Sequence, residues 1–238
     1  MILHIVPDDK FIDMAYNMFE KASPNNNEFM IVGKFDKFKY IKTTPITQVN
    51  KLEFLSKNFA KNLENYEFVV IHALIGHSMK LVLNTSSKVR FIWLGWGFDY
   101  YCFLDKTLLF SKTAVLKNKL SLNSEFVGKK YLRKLKRFVV NKFFYNGIEH
   151  LDRIFEKIDY FAPVLKEDYD LLSKHFQNFQ PQYLDWNYGT LEDNLIKEEL
   201  ELSGKNILLG NSASYENNHI EAVDLICNLD LENRKVTS

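Results

Sequence analysis

The chain has 238 residues, 46% apolar and 26% charged, with a formal net charge of +1. That is the balance of a globular domain, or of one and a half ordinary domains, with no global pull toward nucleic acid or membrane. Cys102 and Cys227 are the only cysteines and form no CxxC pair, so no disulfide framework or zinc site is indicated and a reducing compartment is the natural home.

The elements alternate along the chain. "MILHIV" (1–6) is a continuous apolar run, the mark of a strand buried on both faces. "PDDKFIDMAYNMFEKA" follows, with Phe11, Met14, Ala15, Met18 and Phe19 at helical spacing. After the turn "SPNNN" come a strand over 28–33, a helix over 50–66 with the stripe Leu52, Leu55, Phe59 and Leu63, and a strand over 67–74. A short helix in "HSMKLVLNTS" leads to a fourth strand over 88–97. A basic, helical region covers 104–157, then a strand over 158–164, a helix in "KEDYDLLSKHF" and a sixth strand candidate, "PQYLDWNYG". The acidic segment 190–203 reads as a linker helix. A short strand at 207–209 and a helix from His219 then open a second unit. This alternation predicts an α/β doubly wound, Rossmann-like sheet in a first domain over 1–189, and the first strand and helix of a second domain over 204–238.

The N-terminus has no basic region and carries two aspartates where a secretory leader is apolar. No apolar run reaches the roughly 18 residues of a spanning helix. The expected home is the cytoplasm, with contact to a membrane surface.

Ligands of open parallel sheets bind beyond the carboxyl ends of the strands, and several chemically able residues fall there. In "PDDKF", one of Asp8 and Asp9 caps the following helix, and the other stays free to orient a sugar hydroxyl or to act as a base. In "IHALIGHS", His72 reads as a core histidine. His77, at a helix start, either meets a phosphate or hydroxyl or is a solvated loop residue; their spacing is not that of a metal site. "WLGWGFDYY" offers two permissive glycines, Gly95 and Gly97, and sugar-stacking rings in Trp96, Tyr100 and Tyr101. Asp99 is its most chemically useful member; the competing reading is a tight turn with aromatic core packing.

"GKKYLRKLKRFVVNKFFYNG" (128–147) holds seven Lys and Arg and no acid, with Leu132, Leu135, Phe138, Val139 and Phe143 as an apolar stripe. It reads either as a membrane-surface helix or as an ordinary solvated one. No nucleic-acid module accompanies the charge. In "KNILLGNSASYENNHIEAVDLI" (205–226), a strand, a loop of small residues and a helix start form the layout that holds a phosphate. The segment lacks the lysine of a nucleotide-hydrolysing P-loop and the three glycines of a dinucleotide fingerprint.

"GNSASYENNHIEA" (210–222) resembles a motif of the bacterial 4-acetamido-4,6-dideoxygalactose (Fuc4NAc) transferases, also called 4-alpha-L-fucosyltransferases, of glycosyltransferase family 56. "MILHIVPDDKFID" and "WLGWGFDYY" resemble that family's N-terminal and mid-domain patterns. The resemblance implies a GT-B enzyme of two Rossmann-like domains, active in enterobacterial common antigen-like polysaccharide synthesis. It would transfer Fuc4NAc or a fucose-like sugar from a TDP-sugar to a polyprenyl-diphosphate-linked saccharide, at the inner face of the cytoplasmic membrane. Asp8, Asp9, His77 and Asp99 would then lie on the acceptor side, one of them taking the acceptor hydroxyl proton. Gly210, Asn211, Ser212, Asn218 and His219 would meet the donor diphosphate. Such an enzyme needs no metal and no cofactor beyond its nucleotide-sugar co-substrate, and 128–147 would meet the membrane. A donor domain takes on the order of 150 residues, and 35 positions follow Ser203; the expectation is an incomplete donor domain and a 238-residue chain inactive by itself. A non-catalytic docking module and another enzyme on a doubly wound sheet, such as a sugar-nucleotide hydrolase, are the alternatives.

Overall fold

The computed structural model describes residues 1–104, 108–123, 150–189, 206–210, 215–229 and 235–237. The basic stretch 128–147, the linker 190–203, Asn211 and Ser212 lie outside the described residues.

Among the described residues, seven strands form one parallel sheet: β1 (Ile2–Val6), β2 (Asn27–Val32), β3 (Ile46–Val49), β4 (Phe68–His72), β5 (Phe91–Gly95), β6 (Ile158–Pro163) and β7 (Gln182–Tyr183). Their spatial order is β3-β2-β1-β4-β5-β6-β7. The order reverses between β1 and β4, the kind of switch point at which open α/β sheets bind ligands beyond the carboxyl ends of their strands. The inner strands are apolar almost throughout because helices or chain cover both faces. One face presents Val70, Leu94 and Ala162 to Phe19 and Trp186. The other packs Trp93 and Phe161 against Tyr100, Phe155 and Phe179.

The helices are α1 (Ile12–Ala22), α2 (Lys51–Phe54), α3 (Lys57–Asn62), α4 (Gly76–Asn84), α5 (Ser111–Asn123), α6 (Leu151–Phe155), α7 (Lys166–His175) and α8 (His219–Cys227). The single helix expected over 50–66 is two, followed by a 3-10 turn over Leu63–Asn65. Asn50 and Ser56 each adopt an extended conformation and accept a backbone N–H three residues on, at 2.9 and 3.1 Å. Two N-caps inside one apolar stripe make two helix starts. β3 was not foreseen: Thr47 and Gln48 are exposed on this edge strand, so it has no apolar run to read.

The chain falls into two compact units, Met1–Phe103 with Arg137–Asn194, and Leu104–Lys136 with Leu195–Ser238. The first holds the seven-stranded sheet. In the second, β8 (Ile207–Leu208) runs parallel to β9 (Val236–Thr237), with α8 between them in the chain. α5 belongs to this unit although its residues precede β6. Thr113 donates its amide and hydroxyl to the Glu221 carboxylate, at 3.0 and 2.5 Å, and Lys112 pairs with Asp224. Among the described residues no helix is long and apolar enough to cross a membrane.

Candidate functional site

The two aspartates after β1 part company. Asp8 reaches across to the loop that follows β2 and accepts the amides of Lys39, Tyr40 and Ile41, at 2.6, 3.0 and 3.1 Å. Burial pushes its pKa up, but the three amides outweigh that and hold it below the ordinary value. Asp8 is therefore a scaffold carboxylate, with both oxygens occupied, rather than a free base. In the first turn of α1, Asp13 does the same for Lys42, Thr43 and Thr44, taking the Thr44 hydroxyl as well at 2.6 Å. Asp9 stays at the edge. Its Oδ1 accepts the Phe11 amide at 3.2 Å, and its second oxygen has no partner among the described residues.

Asp99 is buried after β5 and gathers three donors. Its Oδ2 accepts the Leu74 amide at 2.8 Å and the Trp93 indole N–H at 2.7 Å; its Oδ1 accepts the Trp96 amide at 2.9 Å. Burial raises its pKa, and these donors oppose the rise without cancelling it. The bond to Leu74 crosses from the β5 loop to the β4 loop and fixes Ala73, whose φ of 78° is unusual for alanine. Asp99 thus positions the loops on which a ligand would rest. Behind it, Asp168 accepts the hydroxyls of Tyr100 and Tyr101, at 2.7 and 2.9 Å, and pins the same loop to α7.

A group of rings lies near Asp9, whose carboxylate accepts the Phe11 amide and acts electrostatically on Tyr188. Phe11, Trp96 and Tyr188 form a triangle with centroids 5.0 to 5.8 Å apart, and Phe98, 59% exposed, stands 6.1 Å from Trp96. The Trp96 indole N–H is buried without an acceptor among the described residues. The Tyr188 hydroxyl is pushed well above its ordinary value, by burial first; the Trp186 indole opposes this, and the Asp99 and Asp9 carboxylates add to it. Asp9, Asp99, Trp96 and Tyr188 therefore share one neighbourhood. Tyr188 was missed because its segment reads as a strand, while β7 ends at Tyr183. His77 belongs elsewhere: its ring meets Phe54 edge-on at 5.7 Å. Burial, then Lys51, lowers its pKa to about 4, so it is neutral at pH 7 and a poor base.

Below the edge lies a buried pair the apolar runs concealed. His4 Nδ1 and His72 Nε2 are 3.1 Å apart. Asn27 gives its Nδ2 hydrogens to Glu20 Oε1 and to the Ser23 carbonyl, so its Oδ1 accepts from His4 Nε2–H at 3.3 Å. His4 Nδ1 is then a lone pair that accepts from His72 Nε2–H, and His72 Nδ1 is a buried lone pair with no donor among the described residues.

In the second unit the expected phosphate contacts divide. Gly210 has φ 69°, and a Cβ there would lie 2.3 Å from His219 Nε2, so the glycine and the histidine ring are in close contact. That Nε2 is buried without a partner among the described residues. Asn218 is a tether instead of an open ligand: its Oδ1 accepts the Phe110 amide at 2.8 Å, and its Nδ2 donates to the Leu108 carbonyl at 2.9 Å. Among the described residues no three His, Cys, Asp or Glu side chains are placed to hold a metal ion. Compared with protein-family models, curated proteins and solved structures, the chain matches none.

Proposed function

We propose that the chain carries the acceptor side of a glycosyltransferase of GT-B-like plan. It moves a deoxy-amino or fucose-like sugar from a nucleotide-diphosphate donor, a TDP-sugar, to a polyprenyl-diphosphate-linked saccharide. The observation that carries the reading is the carboxylate of Asp9, with one oxygen unpartnered among the described residues, at the carboxyl edge of a doubly wound parallel sheet in the neighbourhood of Tyr188 and Trp96, with Phe98 next to Trp96. Rings of this kind cover the apolar face of a pyranose, and a carboxylate beside them meets its hydroxyls.

On this reading Asp9 is the general base. The acceptor hydroxyl oxygen attacks the donor's anomeric carbon, its proton passes to Asp9, and the bond from that carbon to the diphosphate breaks, the electron pair leaving with the nucleotide. Asp8 and Asp99 act by holding loops. Gly210 and His219, with Asn211 and Ser212, remain the proposed diphosphate contacts. The test is transfer from TDP-sugars to a lipid-linked acceptor by the protein made from its own gene, as parent and as Asp9→Asn. The variant should fold within about 0.5 kcal/mol of the parent and lose roughly 10²–10⁴-fold in rate. Equal rates would remove Asp9 from the chemistry; no transfer by the parent with any nucleotide sugar would end the reading.

A further inference from the structure

Between β2 and β3 the chain runs "KFDKFKYIK", residues 34–42, with four lysines, one aspartate and the rings of Phe35, Phe38 and Tyr40 between them. The segment has neither helix nor strand, yet its backbone is anchored at Phe35 and again from Lys39 onward. The Gln48 side chain accepts the Phe35 amide at 2.7 Å and returns a hydrogen bond to the Phe35 carbonyl at 3.0 Å. Asp8 and Asp13 take every amide from Lys39 to Thr44 in turn. Ile41 is buried beneath, in a core with Val6, Ile12 and Phe29.

What this frame holds outward is Lys34, Phe35, Lys37, Lys39, Tyr40 and Lys42, with Asp36 as the one acid among them, so the loop keeps an excess of lysine. Phe35 is 37% and Tyr40 40% exposed, and Leu52, on α2 just past neighbouring β3, is 78% exposed. Rings and a leucine fixed in water among lysines gain nothing in the free chain. A loose loop could fold them away, and the two aspartates prevent that. The combination suits the headgroup layer of a bilayer: lysine ammonium groups meet anionic lipid, while partly buried rings and an aliphatic side chain sit at the water boundary. Because the loop is already ordered, little freedom is lost on docking. The ring faces do not suit stacked bases. Phe35 leans on Phe38 at 5.6 Å, and the Lys39 ammonium lies 4.6 Å over the Tyr40 ring.

We infer that the 34–42 loop is a docking surface for an anionic lipid bilayer. It follows β2 at the carboxyl edge of the sheet and is tied to Asp8, the neighbour of Asp9. Docking through it presents that edge to the membrane. A non-catalytic protein would use the loop in the same way, so the inference stands apart from the transferase proposal.

Sedimentation of the 238-residue chain with vesicles tests it and involves no transfer step. Vesicles of phosphatidylcholine are compared with equimolar phosphatidylcholine and phosphatidylglycerol. The parent should bind the anionic vesicles at least about tenfold more tightly and lose the difference in high salt. The triple variant Lys34→Gln, Lys37→Gln, Lys39→Gln should weaken binding roughly 10²-fold, and Phe35→Ser with Tyr40→Ser roughly tenfold. Circular dichroism and Tm of both should match the parent. Lys129→Gln, Lys130→Gln, Lys134→Gln is the comparison for the basic stretch 128–147, and should leave the loop's effect in place. A parent indifferent to phosphatidylglycerol, a loop triple that binds like the parent, or binding abolished by the 129–134 triple alone would overturn the inference. So would a loop-dependent affinity for single-stranded DNA equal to that for the vesicles.

Discussion

Lowering the pH from 7 to 5 should strip the first unit of a sizeable part of its stability, through His4 and His72. Both rings are sealed from water, 0% and 1% exposed. Burial lowers the His4 pKa to about 3 against the weak opposition of Asn27 and Glu20. Burial, and then His4 itself, holds His72 well below the ordinary value. An unfolded histidine titrates near 6.5, so between that pH and the folded pKa the unfolded chain binds protons that the folded chain refuses. The pair's contribution is therefore complete above about pH 6.5 and is lost as the pH falls. Between pH 7 and 5 the loss is about 1.9 kcal/mol for each histidine, or about 4 kcal/mol for the two. A domain has about 5–15 kcal/mol in all. Trp93, Trp96 and Trp186 are the only tryptophans and all lie in the first unit, so their fluorescence during urea unfolding reports on it alone. The double variant His4→Phe, His72→Leu removes both titrating rings. It should start less stable, because the Asn27 Oδ1 loses the His4 Nε2–H that it accepts, but its stability should fall by about 4 kcal/mol less across the same pH range. A flat parent profile, or a double variant with the parent's slope, would sink the reasoning.

Two further substitutions probe the carboxyl edge. In Gly95→Ala the new Cβ would lie 2.6 Å from a Phe161 ring carbon and 2.7 Å from one of Tyr100; the rings must shift, at about 1–3 kcal/mol, read as a fall in Tm. An unchanged Tm would mean the turn has room. Asp13→Ala leaves the amides of Lys42, Thr43 and Thr44 and the buried Thr44 hydroxyl without their acceptor. The expected loss is about 1–3 kcal/mol, with faster tryptic cleavage after Lys37, Lys39 and Lys42. Parent-like cleavage would show that Asp13 does not hold the loop.

The inner strands were legible because being covered on both faces demands unbroken apolar residues, and "ILHIV", "FVVIH" and "FIWLG" are such runs. β3 was not, since an edge strand with two exposed polar residues satisfies no such demand. The break at Ser56 was written in the sequence as a cap, but the stripe running through it concealed the boundary. The edge was a sound place to look for a site, yet the roles of its carboxylates were not readable. Asp8 and Asp9 are chemically identical neighbours, and only a loop some thirty residues away makes one of them scaffold. Asp99 likewise depends on an amide 25 residues upstream. The grouping of α5 with α8 rests on side-chain pairs more than a hundred residues apart, which no local pattern encodes.

The order of the strands also bears on how safely such a chain exists in a crowded solution. Segments like "FVVIH" and "FIWLG" are rich in β-branched and aromatic residues and carry no charge, the composition that stacks into fibrils when strands lie open. Folding places them at the middle of the sheet and leaves at its borders β3, of four residues, and β7, of two. Borders so short offer a passing chain almost no ladder to extend. The sticky strands are shielded by their place in the sheet, and the hazard is confined to the time before β1, β4 and β5 have closed on one another.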